Sequence, residues 1–170
     1  MNVVTPELNT YMHELLPERH AVLKELETYA TERRFPIVGP LVGNFFAQLA
    51  SLIGARRIME LGSGFGYSAL WFASVLPPDG EIICTDGDDA NRVRAEDAFA
   101  RVGVADRIHF HTGDALTVFA GIEGDFDIII SRCLLGAGFY SLPELVLEAF
   151  RNHGNVGFTG TFGFFCATGE

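Results

Sequence analysis

Between Arg57 and Ser68 a short apolar run (Ile58, Met59, Leu61) stops at three glycines, Gly62, Gly64 and Gly66, and an apolar pattern through Ala69, Leu70, Phe72, Ala73 and Leu76 follows at once. A run of that length that halts at glycines and resumes with helical spacing reads as strand, tight loop and helix. Glycine removes the side chain where the backbone must turn sharply and where a ligand has to come close. The N-terminus of the following helix offers unpaired N–H groups. The turn is therefore a cradle of nucleotide size. Glycine-rich turns of this kind also arise for packing alone, so the neighbouring segments have to decide between the two readings.

Glu60 stands two residues before the first glycine, and the glycines are spaced G-x-G-x-G rather than the G-x-G-x-x-G expected of a nicotinamide-binding turn. A carboxylate at the C-terminal end of a strand suits a ligand with an amine or other positive charge and repels a pyrophosphate. Glu81 to Asp86 reads as a second buried strand ending in an acid, at the distance where a βαβ unit places a ribose-binding carboxylate. Asp86 can accept from both ribose hydroxyls. Arg107 to His111 reads as a third strand, and Gly113, Asp114 and Ala115 form a loop at the same sheet edge. Three strand ends thus converge on one crevice.

With those stations in place, the chain resembles the class I S-adenosylmethionine-dependent methyltransferases. Pro36 to Pro40, Met59 to Leu70 and Gly124 to Ile130 narrow the likeness to the bacterial relatives of catechol and caffeoyl-CoA O-methyltransferases, over about Phe35 to Ile130. The resemblance implies a Rossmann-like α/β fold, a doubly wound and mostly parallel sheet with N-terminal helices. It implies that Glu60 holds the methionine amine of the cofactor S-adenosylmethionine, with Gly62, Ser63, Gly64 and Ser68 lining that end. Asp86 would take the ribose hydroxyls, Asp114 and Ala115 the adenine, and Val38 would flank the site from the preceding helix. The expected partner is a small hydroxylated acceptor, and the family's N-terminal helices cover either the active site or a dimer partner, so a homodimer is compatible.

A chain of 170 residues with 48% hydrophobic content has the size and composition of one globular domain. It divides into a helical cover over 1–55, a cofactor-binding core over 56–131 and a divergent tail over 132–170. The net charge of −10 argues against a nucleic-acid partner, since the phosphate backbone would meet a surface of its own sign. Cys84, Cys133 and Cys166 form neither a disulfide framework nor a C-x-x-C pair, and read as packing residues in a reduced compartment. No secretory signal is visible, so the cytoplasm is the expected location. Phe35 to Ala55 lacks charges, but its prolines, glycines, Asn44 and Gln48 argue against a membrane span.

Thr5-Pro6-Glu7 opens a helix with a cap, and Leu8, Tyr11, Met12 and Leu15 give it an apolar stripe. Pro17 ends it. Val22 to Ala30 carry a second helix, Phe35 to Pro40 read as a loop, and Leu41 to Ile53 make a third helix. Asp88 or Asp89 caps a helix that stops at Gly103, and Phe126 to Ile130 is a fourth strand. His109 and His111 alternate on one strand without a third ligand nearby, which fits strand surface better than a metal site.

After Ile130 the likeness fails. The family's metal-dependent members place a cation-binding aspartate where Arg132 stands and a lysine base where Leu135 stands. An Asp-Asn pair should follow, yet Asp127 is the last aspartate in the chain and Lys24 the only lysine. A divalent cation, expected from the family, has no visible ligands here, because a hard cation needs several oxygens and a guanidinium would repel it. Ser141-x-x-Glu144 can cap a helix through Phe150, and 155–168 can form a strand or hairpin, so the C-terminal part reads as shortened. Two functions remain open: O-methyl transfer to a small, aromatic, hydroxylated acceptor, and a catalytically silent cofactor-binding or dimerisation module from a truncated or frameshifted gene. A nicotinamide oxidoreductase is disfavoured by Glu60 and the glycine spacing.

Overall fold

The computed structural model describes residues 5–131 and the backbone of 162–165. Three helices come first: α1 (Pro6–Glu14), α2 (Ala21–Arg33) and α3 (Gly39–Ile53). Strand and helix then alternate through β1 (Arg57–Leu61), α4 (Tyr67–Ala73), β2 (Glu81–Asp86), α5 (Asp89–Val102), β3 (Ile108–Thr112), α6 (Ala115–Ala120) and β4 (Ile128–Ser131), with β5 (Phe162–Phe165) closing the order. The expected helix over 141–150 lies outside the described residues.

All five strands are parallel, in the order β3-β2-β1-β4-β5. Parallel neighbours need crossovers, and the helices supply them on both faces. On one face α2 to α5 contribute Leu26, Phe46, Phe72 and Phe99 to a core that includes Ile58, Ile82 and Ile130. On the other, Ala115 and Phe119 of α6 pack with Met59, Leu61, Ile83 and Ile129. Alternation along each strand explains the division, because successive side chains point to opposite faces. Chain progression reverses between β1 and β4, and in open sheets of this type ligands lie outside the strands' carboxyl ends at that reversal. The doubly wound Rossmann-like architecture expected from the sequence is the one observed.

Local chemistry sets the element ends. Thr5 caps α1, its hydroxyl accepting from the Leu8 N–H at 3.3 Å, with Pro6 in the first turn. The stripe on α1 exists but is not packed into the core: Leu8, Tyr11 and Leu15 are exposed, and no α1 residue is buried. Helix α3 begins at Gly39, earlier than the expected loop to Pro40, since proline is well placed in a helix's first turn, where no N–H partner is required. Helix α4 ends at Ala73, short of Leu76. There the Arg107 guanidinium donates to the Ala73, Leu76 and Pro77 carbonyls at 3.1–3.3 Å, satisfying acceptors the helix leaves open. Arg107 thereby precedes β3 rather than opening it.

Three ties join α2 and the linker after it to the loop after β1 and the first residue of α4. The Tyr67 hydroxyl donates to Glu27 at 2.8 Å, and Glu27 also pairs with Arg19. Tyr67 is buried, and loss of hydration pushes its ionisation well above the usual phenol range. Tyr29 meets Phe65 edge to face at 5.4 Å, and Phe35 packs on the same ring at 4.7 Å.

At the opposite end of the strands, one Asp127 carboxylate oxygen accepts the Arg56 and Arg57 N–H groups at 2.7 and 2.9 Å, holding β4 to the start of β1. Asp127→Ala is expected to lower stability by about 1–2 kcal/mol in urea unfolding, because two N–H groups lose a charged acceptor. An unchanged midpoint would show that water replaces the carboxylate at no cost.

Candidate functional site at the carboxyl ends of the strands

The loop from Gly62 to Gly66 is held from below by β2. The N–H groups of Gly62 and Ser63 donate to the Thr85 carbonyl at 3.1 and 2.7 Å, and the Thr85 hydroxyl accepts from the Gly62 N–H while donating to the Glu60 carbonyl. Ser63 is spent in the same way: its hydroxyl donates to the Glu60 carbonyl and accepts from the Thr85 N–H, each at 3.2 Å. Gly62, Gly64 and Gly66 all have left-handed φ, of 84°, 55° and 76°. At Gly64 a side chain would also strike the Phe35 ring at 2.9 Å, so the glycine is required twice over. Gly66 is the cap residue ahead of α4 and supplies no side-chain cap bond.

Glu60 and Ser68, expected at the same end of the site, are fully buried and paired with each other, the Ser68 hydroxyl donating to one carboxylate oxygen. The Cys84 thiol donates to the other at 3.8 Å. Burial, with the Glu60 charge beside it, drives the Cys84 ionisation far above the ordinary thiol range, so it is an inert packing group.

Asp86 is the hub. Its Oδ2 accepts the Gly64 N–H at 2.9 Å, its Oδ1 accepts the Asp88 N–H at 2.9 Å and the Asn91 amide at 3.0 Å, and its carbonyl accepts the Gly113 N–H at 2.9 Å. One residue therefore ties together the ends of β1, β2 and β3. The convergence read from the sequence is a physical junction. Asp114 caps α6, its Oδ1 accepting the Thr117 N–H and hydroxyl, both at 2.8 Å. Those bonds hold its carboxyl below the usual range. Ala115 opens α6 and is buried in the second core. Val38 is the α3 cap residue and packs half-buried against the main core.

Two features were not read from the sequence. Asn91 looks like an ordinary helix-surface residue, and only the fold brings its amide to Asp86. Ser131 ends β4 beside Leu61, and its hydroxyl is buried without a partner among the described residues. An unpaired buried hydroxyl at the sheet reversal suits a polar ligand. Asp86, Asp88, Asp89 and Asp114 make the mouth of the crevice acidic, which disfavours a pyrophosphate and tolerates a cationic ligand. A nucleoside carrying an amine and a sulfonium fits this donor and acceptor set. Among the described residues no group of three or more His, Cys, Asp or Glu could hold a metal ion. Arg132 and Leu135 lie outside them. No helix among them is long and apolar enough to cross a membrane.

The chain is similar in sequence and fold to known O-methyltransferases. A catechol O-methyltransferase of Niastella koreensis is 29% identical over 134 residues, 75% of this chain and 61% of that protein. Caffeoyl-CoA O-methyltransferase 1 of Zea mays is 37% identical over 125 residues, 70% of this chain and 48% of that one. The chain spans about half to three-fifths of the length of these two relatives. The crystal structure of a methyltransferase from Geobacter sulfurreducens superimposes with a TM-score of 0.76 at 28% identity, covering 87% of this chain and 75% of that one. The O-methyltransferase TomG from Streptomyces achromogenes, solved in complex with S-adenosylmethionine, gives 0.73 at 28% identity, covering 85% and 66%. The O-methyltransferase family model matches residues 13–131, more than two-thirds of the sequence. The chain belongs to the O-methyltransferase family.

Proposed function

We propose that this chain binds S-adenosylmethionine in the crevice between the ends of β1 and β4 and transfers its methyl group to an oxygen of a small hydroxylated, aromatic acceptor. The observation that carries the reading is Asp86, a carboxylate locked at the junction of three strand ends with acceptor capacity remaining for a ribose. On this reading Asp86 takes the ribose, and Asp114 and Ala115 border the adenine. The methionine end lies along Gly62 to Gly64, with the Glu60–Ser68 pair beneath it and Val38 at the flank. The cofactor supplies an activated methyl on sulfur. The protein's task is to hold the acceptor oxygen in line with that methyl and to keep water away, and positioning of this kind accounts for much of the barrier reduction in such reactions.

Arg132 and Leu135, where the family resemblance expects a cation-binding aspartate and a lysine, support a reaction without a divalent cation. A cytoplasmic setting accords with the free, buried thiol of Cys84.

Calorimetry with S-adenosylmethionine, S-adenosylhomocysteine and NAD, followed by single-turnover methyl transfer to catechol and caffeoyl acceptors with Mg²⁺ or with EDTA, tests the reading. Binding of the two sulfur nucleosides in preference to NAD is expected, with little stimulation of transfer by Mg²⁺. Tighter NAD binding would sink the cofactor assignment. Binding without transfer to any acceptor would identify a silent module, and robust transfer abolished by EDTA would show that other residues form a metal site.

A further inference from the structure

The Asp86 carboxylate has room for fewer ligand hydrogen bonds than its position implies. Two carboxylate oxygens offer about four acceptor sites. The Gly64 N–H occupies one on Oδ2, and the Asp88 N–H and the Asn91 amide occupy both on Oδ1. One site is left, on Oδ2. A ribose presents two adjacent hydroxyls, so the second must find another acceptor.

Asn91 is the residue placed to be that acceptor. It lies in the first turn of α5, is partly buried, and its Nδ2 is committed to Asp86 because an amide oxygen facing a carboxylate would be repelled. The same bond fixes the amide's orientation, and among the described residues its Oδ1 accepts no hydrogen bond. Asp89 is already held by Arg92 and Thr112, and Asp88 accepts the Ala90 N–H as the α5 cap, so Asp88→Ala, which leaves the Asn91–Asp86 bond in place, is the control for Asn91.

Resting on the S-adenosylmethionine reading above, we propose that Asn91 is a second ribose-recognition residue. Its Nδ2 orients Asp86, and its Oδ1 accepts one hydroxyl while Asp86 Oδ2 accepts the other. The two hydroxyls are then read by different groups, one charged and one neutral. The ligand class this selects is a nucleoside with both hydroxyls free, because a phosphate or ether on either oxygen removes the donor that its acceptor requires.

The test is a binding cycle by calorimetry, with S-adenosylhomocysteine and its 2′-deoxy and 3′-deoxy forms against wild type, Asn91→Ala and Asp86→Ala. Asn91→Ala is expected to weaken S-adenosylhomocysteine about fivefold. One of the two deoxy ligands should then lose nothing further in Asn91→Ala, while the other keeps its full loss there and is insensitive only in Asp86→Ala. Asn91→Asp should bind more weakly than Asn91→Ala, since it sets a second negative charge against Asp86. Equal deoxy penalties in wild type and Asn91→Ala would reduce Asn91 to a packing residue and overturn the proposal. Wild type that binds no S-adenosylhomocysteine would overturn the cofactor reading and this one together.

Discussion

Gly66→Ala should cost roughly 2–5 kcal/mol of stability, from two separable sources. The residue sits at φ 76°, in the left-handed region, where an L side chain costs roughly 1–2 kcal/mol. A Cβ there would also lie 2.5 Å from the Phe99 ring and 3.1 Å from the Ala95 methyl, and forcing carbon into a filled core typically costs about 1–3 kcal/mol. Phe99 is 1% exposed and cannot swing into solvent. Equilibrium urea unfolding of Gly66→Ala, Phe99→Leu and the double variant separates the terms. The smaller side chain should relieve the clash and leave the backbone cost, so the double variant should be at least about 0.5 kcal/mol more stable than additivity allows. Strictly additive losses would mean that the methyl and the ring never meet.

Asp86→Ala is expected to weaken S-adenosylhomocysteine binding at least about tenfold. A hydrogen bond to a charged acceptor contributes on the order of 1.5–3 kcal/mol, and on the proposed reading the variant loses a ribose contact together with the anchor for the Gly64 N–H. Asp79→Ala is the control. Asp79 pairs with Arg56 with both side chains largely exposed, an arrangement worth about 0–1 kcal/mol, and it belongs to the turn before β2, at the other end of that strand. Calorimetry on both variants decides. Equal affinity in wild type and Asp86→Ala would remove this residue from the site.

The parts of the fold that were legible in the sequence are those where one residue type has one physical use. Ile58, Met59 and Leu61 ahead of three glycines allow little besides a strand running into a tight turn, and Gly103 after an amphipathic run ends a helix. Helix α6 was not legible, because six residues are too few to display a period and its cap, Asp114, had another reading as a site residue. The start of α3 was misplaced because Gly39 and Pro40 are common in loops as well as in first turns. The Asp86 junction was visible only as a convergence of strand ends. One of its three filled acceptor sites is the local Asx-type bond from the Asp88 N–H, but the other two depend on Gly64 and Asn91 meeting it at distances that no spacing rule encodes. Phe35 was equally silent, since an aromatic in a linker carries no sign of the glycine it covers.

Helix α2 and the linker that follows contribute Glu27, Tyr29 and Phe35, and all three press on residues 64–67. The cradle is consequently preorganised. Its backbone is immobilised from behind before any ligand arrives, so little ordering entropy remains to be lost on binding, and that loss is one of the main opposing terms in association. The affinity of the crevice is thus set partly by a helix that need not touch the ligand. Changes at the α2 face that loosen this backing should act on the ligand entropically, leaving the hydrogen-bonding groups of the site unaltered.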